Sequence, residues 1–325
     1  MKEIVVKTDY YLDLLDRNTA SFKKGAGKNI ALLGPRKSGK TLIVKEHLRN
    51  AKDVVPVYID LEKISLNPEN FCIEFIGNVL FHYLKKPLSE YKEFLLLDKL
   101  LKIEKEIGSN SFSLIKTIEN ELLKIKPNQK FLVETAFNFA EAIAKETNKK
   151  FLVVLDNFEN LLDLNNFTQI KDVLSIINLE ADDVSYIVTS SAIRQSLALL
   201  KKFECYEIKN LQRKESFELS ESIIGKNDKA NEEIFRLSLG HPLINILISN
   251  KYKEIKDVKR AFLIELLTKG SVIYDYCSDS YNYYYNRARG QTLLKTILKV
   301  IANEELRLSE IAKKIYRSAP VTKSI

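Results

Sequence analysis

Gly34-Pro35-Arg36-Lys37-Ser38-Gly39-Lys40-Thr41 follows the apolar run Asn29-Ile30-Ala31-Leu32-Leu33 and opens a stretch in which Leu42, Ile43 and Leu48 space as the inner side of a helix. Strand, glycine loop, helix is the order in which G-x-x-x-x-G-K-[ST] has chemical meaning. The glycines let the loop fold back until its backbone N–H groups converge, and the positive end of the following helix completes a cradle for phosphate oxygens. Lys40 would reach the β- and γ-phosphates, and Thr41 would offer its hydroxyl to Mg²⁺. The whole loop, Gly34, Pro35, Arg36, Lys37, Ser38, Gly39, Lys40 and Thr41, is therefore expected to hold ATP or ADP with magnesium. Gly25-Ala26-Gly27-Lys28 lacks that context and reads as a loop.

Outward from the motif, apolar and β-branched runs at 54–60, 151–156, 184–190 and 205–208 read as further strands, continuous in hydrophobicity as strands buried on both faces should be. Helical patterns at 68–83, 130–145, 166–177 and 192–201 separate them. Alternation of this kind predicts an α/β fold with parallel strands and right-handed crossovers. The charged, leucine-rich segment 89–126 reads as an inserted helical hairpin or lid. Beyond residue 211 the strand pattern stops, and helical patterns at 214–224, 231–239, 243–248 and 255–267 follow. Three parts are expected: a core over 1–211, a helical lid over 212–269, and a C-terminal section over 270–325.

A nucleotide site needs a carboxylate at the end of a buried strand to hold the metal, and Asp156, directly after Phe-Leu-Val-Val-Leu, meets that description. Many ATPases place a glutamate next to it to polarise the attacking water; here that position is Asn157. Glu159 is the nearest carboxylate, with a helix-capping role as the alternative. Thr189 or Ser190, ending the 184–190 run, would sense the γ-phosphate, while the same Thr-Ser-Ser run also suits a strand-to-helix turn capped by Ser191. Arg194 is a candidate for stabilising transferred charge, in its own site or a neighbour's, or is a surface arginine.

Together, Pro35-Arg36 inside the glycine loop, Leu155-Asp156-Asn157-Phe158-Glu159-Asn160-Leu161, Thr189-Ser190-Ser191 and Gly240-His241-Pro242 resemble the STAND branch of the AAA+-related P-loop ATPases, and within it the archaeal ATPase group. The resemblance spans roughly residues 28–248. It implies a five-stranded, mainly parallel ASCE-type core with the P-loop strand beside the fourth strand, a helical lid, and a winged-helix module on the C-terminal side. It also implies that Gly240, His241 and Pro242 approach the bound nucleotide; on the residues alone they are a helix stop and restart. Two departures stand out. Asn157 replaces the acidic neighbour of Asp156, which points to slow hydrolysis, and residues 9–25 carry no version of the Phe-Gly-Arg entry motif.

Composition bounds the setting. The 325 residues suit about two domains. No run approaches the ~18 apolar residues of a membrane helix, and the first ten residues carry charges where a signal peptide would be apolar. A cytoplasmic protein is expected. Cys72, Cys205 and Cys277 are far apart and read as small buried side chains. The net charge is +8, and residues 291–325 hold seven Lys/Arg against three Glu. Within that tail, 293–301 and 308–315 space as two helices, and Ser318 with Pro320 starts a third, so the tail reads as most of a winged-helix module. Lys313, Lys314, Arg317 and Lys323 would then meet the phosphates of duplex DNA, with protein contacts, including a homo-oligomer, as the alternative use of this face. Tyr274, Tyr276, Tyr281, Tyr283, Tyr284 and Tyr285 with Arg287 and Arg289 could stack bases but suit helix packing better. His47 and His82 read as surface or satisfied residues. The expected function is an ATP-binding, slowly hydrolysing regulatory switch acting with DNA; the alternatives are a DNA-processing ATPase resembling origin-recognition loaders and a small-molecule kinase.

Overall fold

The structure, a computed structural model, describes residues 8–287, 291–302 and 304–323. The chain forms two compact units, Met1–Leu211 and Gln212–Ile325. In the first, α1 (Thr8–Lys23) precedes β1 (Ile30–Leu33), α2 (Lys40–Asn50), β2 (Val55–Asp60) and α3 (Pro68–Tyr83). Two single-turn helices, α4 (Tyr91–Phe94) and α5 (Leu97–Leu100), lead to α6 (Ser109–Leu122) and α7 (Gln129–Thr147). Then come β3 (Phe151–Asp156), β4 (Val184–Ser190), α8 (Ile193–Leu199) and β5 (Glu204–Glu207).

All five strands are parallel and lie in the order β2-β3-β4-β1-β5. The P-loop strand β1 thus lies beside β4, as the resemblance implies, with β5 on its other side. Because side chains alternate along a strand, the sheet has two apolar faces. One, with Val57, Ile59, Val153, Leu155, Tyr186 and Val188, packs under α3, α6 and α7. The other, with Ile30, Leu32, Leu152, Val154 and Ile187, packs under α1 and α2 through Leu15, Ile43 and Val44. Local signals set the helix ends. Asn67 accepts a hydrogen bond from Asn70 N ahead of Pro68, and Asn128 accepts one from Phe131 N at the head of α7.

Two expectations fail, the helix over 166–177 and the burial of all three cysteines. Residues 166–177 form no α-helix: a 3₁₀ segment covers Phe158–Asn166 and another Val173–Ser175. Asn165 and Asp172 side chains accept the backbone N–H groups of Val173 and Leu174, which offers this backbone an alternative to a helix. The 89–126 segment holds α4, α5 and α6, and its Phe94, Leu100, Ile103, Phe112, Ile115 and Ile118 are part of the main core. Of the cysteines, Cys72 is buried, Cys205 half-buried and Cys277 exposed. Of the histidines, His47 is buried between Thr19 Oγ1 at 3.0 Å and Asp16 Oδ1 at 2.7 Å, and His82 lies 3.1 Å from the Tyr58 carbonyl.

The second unit is helical: α9 (Arg213–Ile224), α10 (Asp228–Ser238), α11 (Pro242–Ile255), α12 (Val258–Leu267), α13 (Val272–Arg287), α14 (Gln291–Ile301), α15 (Leu308–Lys314) and α16 (Ala319–Lys323). Ala230, Ile234, Ile248, Val258, Ala261 and Ile273 form its core. The buried Asn245 ties α11 to α9, donating to Ser216 Oγ at 2.6 Å. On α13, Tyr281 stacks on Tyr285 and Tyr276 lies against His241, whereas Arg289 and the side chains of Tyr283, Tyr284 and Arg287 fall outside the described residues.

Candidate nucleotide site

The glycine loop leaves β1 fixed at Gly34 between the ends of the two neighbouring strands and runs on into α2. Gly34 N donates to the Ser190 carbonyl at 3.1 Å, and a Cβ on Gly34 would sit 2.8 Å from the Ile208 carbonyl oxygen, so only glycine fits. Lys37 (φ 59°) and Gly39 (φ 99°) are left-handed, the reversals that turn successive N–H groups to one side. Ser38 Oγ is buried without a hydrogen-bond partner. A phosphate oxygen would satisfy it.

Lys40 is 6% exposed, and its ammonium donates to the carbonyls of Gly34 and Pro35, both at 2.7 Å. Burial lowers its pKa to about 8, against the opposing attraction of Glu159 and Asp156. The loop therefore supplies the ligands that its own lysine would exchange for phosphate.

At the carboxyl ends of the strands, register builds a polar row. Asp60 on β2 is opposite Asp156 on β3. Leu155 is opposite Val188, and Thr189 is opposite Leu32, so Asp156, Thr189 and Leu32 continue the row. All lie on the face covered by α2, whose first turn carries Thr41. The Thr41 hydroxyl donates to Asp156 Oδ2 at 2.8 Å. This is a P-loop NTPase fold. A buried carboxylate beside the hydroxyl of the loop threonine is the pair of hard oxygen donors that magnesium takes. Among the described residues no group of three or more His, Cys, Asp or Glu could hold a metal by itself. An ion held by Thr41 and Asp156 would complete its shell with phosphate oxygens and water, as Mg²⁺ does. When bound, it would neutralise charge developing on the phosphates.

Asp156 is more heavily bonded than the sequence suggests. Tyr58 OH donates to the same Oδ2 at 2.6 Å, and Thr189 Oγ1 donates to Oδ1. Thr189 also accepts from Asn157 N at 3.2 Å. Asn157 has φ 58°, and its Nδ2 donates to Asp60 Oδ1 at 2.9 Å. Glu159 is 5% exposed and accepts from Ser191 N at 3.1 Å and from the Ser191 hydroxyl. Burial pushes its pKa up, but hydrogen bonds from Ser191, Ser190 and the backbone outweigh this and hold it below the usual carboxylate value. Ser190 Oγ accepts from Ala192 N at 3.1 Å and from Ser196 Oγ at 2.8 Å, fastening α8. Arg194 is exposed on the first turn of α8.

The motif residues of the first unit thus converge: Gly34 to Thr41, Asp156, Asn157, Glu159 and Thr189 share the carboxyl end of the sheet. Gly240, His241 and Pro242 belong to the second unit, where Gly240 (φ 73°) follows α10, His241 is the N-cap of α11 and Pro242 is its first residue. There Lys313, Lys314, Arg317 and Lys323 are exposed; Lys314 pairs with Glu304, and Arg317 donates to the Tyr316 carbonyl at 3.3 Å. The residues that motif reading missed are all at the end of β2: Tyr58 and Asp60, and Glu62, which accepts from Arg36 of the loop at 3.1 Å. Only strand register, absent from a one-dimensional motif, brings them in.

No family model matches the chain, and no curated protein matches it. Among solved structures it is similar to Drosophila ORC bound to DNA, at 12% identity and a TM-score of 0.49, covering 97% of this chain and 75% of that one. It is similar to the Orc1 protein of Aeropyrum pernix in complex with DNA, at 11% identity and a TM-score of 0.44, covering 99% of this chain and 82% of that one. A RuvB mutant of Thermotoga maritima is matched at 12% identity and a TM-score of 0.43, over 98% of this chain and 85% of that one. Identities this low, with TM-scores under 0.5, leave the reading of the site to its own residues. No helix among the described residues is long and apolar enough to cross a membrane.

Proposed function

We propose that this chain is a magnesium-dependent ATP-binding and slowly hydrolysing regulatory switch of the STAND/AAA+-related type, acting with DNA. The observation that carries the reading is the 2.8 Å bond from Thr41 to Asp156 beside a loop whose Ser38 hydroxyl is buried without a partner. Gly34 to Thr41 bind the phosphates, Lys40 pairs with the β- and γ-phosphates, and Thr41 with Asp156 holds the metal. Slow turnover follows from Asn157 in the place of a carboxylate and from Glu159 being committed to Ser191. Arg194, exposed on α8, is available to the site of a second copy. The DNA part of the reading rests on the exposed Lys313, Lys314, Arg317 and Lys323.

Calorimetric titration with ATP and ADP, with and without magnesium, tests it. Lys40→Ala should lose on the order of a hundredfold or more in ATP affinity, since a charge-assisted contact to phosphate is worth about 3 kcal/mol in a buried site. Asp156→Ala should bind in a way that magnesium no longer strengthens. A folded Lys40→Ala protein with the parent's affinity would overturn the nucleotide site. Turnover stimulated by duplex DNA would favour a DNA-processing ATPase resembling origin-recognition loaders over the switch.

A further inference from the structure

Neither residue that follows Asp156 in the motif offers a base for the attacking water. Asn157 cannot accept a proton in that role, and the buried Glu159 carboxylate, though its charge is felt at Lys40, is engaged by the backbone N–H and the hydroxyl of Ser191. Asp156 already receives three hydroxyl donors, from Thr41, Tyr58 and Thr189. Another carboxylate shares the row. Asp60 stands opposite Asp156 across neighbouring parallel strands, a separation of about 4.8 Å between strand axes. Registered residues in parallel strands point to the same face, so both carboxylates face the α2 side. The side chain of Asp60 is 13% exposed, open enough for one water yet sheltered by the sheet edge.

Its partners fix it there. Asn157 Nδ2 donates to Oδ1 at 2.9 Å, Glu62 N donates to Oδ1 at 3.2 Å, and the exposed Lys63 ammonium lies 3.2 Å from Oδ2. The residue after Asp156, where the usual glutamate is missing, therefore reaches across to the next strand and holds a carboxylate. Its left-handed backbone (φ 58°) makes that reach, and asparagine tolerates this conformation better than glutamate does.

We propose that Asp60, oriented by Asn157, is the general base for ATP hydrolysis in this chain. The inference rests on the ATPase reading above and deepens it. The attacking water gives one proton to the Asp60 carboxylate as its oxygen bonds to the γ-phosphorus. The bond from that phosphorus to the bridging oxygen breaks, its electron pair leaves with ADP, and the proton passes on to solvent with phosphate release.

The test combines turnover with binding. Asp60→Asn keeps an acceptor for Asn157 and should lower turnover a hundredfold or more, in line with removal of a general base. Its ATP and ADP affinities by calorimetry should stay within about threefold of the parent, and bound ATP should be recovered intact after incubation. Asp60→Glu, which lengthens the side chain but keeps a carboxylate, should retain more turnover than the isosteric Asp60→Asn, an order that a purely structural Asp60 would reverse. Parent-like turnover in Asp60→Asn overturns the assignment, as does a folded Asp60→Asn protein that no longer binds ATP. Parent-like turnover in Asp60→Asn joined to lost turnover in Glu159→Gln would give the role to Glu159. If the parent binds no ATP, the nucleotide reading falls and takes this assignment with it.

Discussion

The carboxyl end of the sheet and the three C-terminal helices are both places where charge gathers, and they are built in opposite ways. At the sheet end each polar side chain is buried or half-buried and addressed to a named partner: Lys40 to two carbonyls, Asp156 to three hydroxyls, Asn157 to Asp60, Glu159 to Ser191. On α15 and α16 and the turn between them, Lys313, Arg317 and Lys323 extend into solvent, and Lys314 makes a surface pair with Glu304. Burial forces satisfaction and thereby geometry; exposure leaves only a sign of charge. The first region can select a ligand by shape. The second can attract a polyanion and do little else.

The largest effect should come from stressing the second region with salt. If Lys313, Lys314, Arg317 and Lys323 each displace a counterion from duplex DNA, affinity should fall with a log–log slope of about −3.6. Between 50 and 200 mM salt this is on the order of a hundredfold, from an affinity that is weak at the start. Fluorescence anisotropy measures it, and the slope should collapse when the four residues become alanine. A slope near zero in the parent, or one unchanged in the variant, would remove these helices from any role with DNA and blur the contrast drawn between the two regions.

The first region should respond to pH instead. Burial holds the folded pKa of Lys40 at about 8. Phosphates paired with the ammonium would hold the proton to higher pH. As pH rises through 8 the free site loses that proton while the complex keeps it, so binding takes up a proton and ATP affinity falls by up to about tenfold per pH unit. Below pH 8 both states are protonated and affinity should be flat in this group. Calorimetry in buffers of different ionisation enthalpy reads the proton uptake directly. Lys40→Arg, charged throughout, should flatten the profile even where it binds more weakly. A parent profile flat from pH 7 to 10 would mean that the ammonium is not the group meeting the phosphates.

The contrast also explains what sequence can reveal. The glycine loop is legible because its chemistry depends on residue types at fixed chain spacing, and β3 and β4 are legible because a strand buried on both faces reads as an unbroken apolar run. Asp156 follows from both. Tyr58 and Asp60 are invisible to such a reading: their role comes from the register of β2 on β3, through bonds that join residues 98 and 97 positions apart in the chain. The 166–177 segment misleads because Leu, Ile and Val at helical spacing carry no record of the Asn165 and Asp172 side chains that capture its backbone. The C-terminal lysines are legible as charge and as nothing more, which is what an exposed surface encodes.

The smallest effect is the most discriminating within the first region, because it separates a motif residue from a register residue on the same oxygen. Thr41 and Tyr58 both donate to Asp156 Oδ2, at 2.8 and 2.6 Å. Burial, and then the bond to Asp156, push the Tyr58 pKa well up, so the phenol remains a donor at any pH at which the protein works. The Lys45 ammonium, 4.5 Å above its ring, keeps that ring in place after the hydroxyl is removed. When Thr41 turns to a metal, Tyr58 is the group left to hold Oδ2 in line. Tyr58→Phe should therefore weaken the effect of magnesium on ADP affinity by about tenfold, the lower end of what an outer partner of a metal ligand contributes. Affinity without magnesium should not change, since the phosphate loop is untouched. Loss of affinity in equal measure with and without magnesium would make Tyr58 a packing residue, whereas magnesium binding strengthened by the substitution would mean that the phenol competes with the ion for Oδ2.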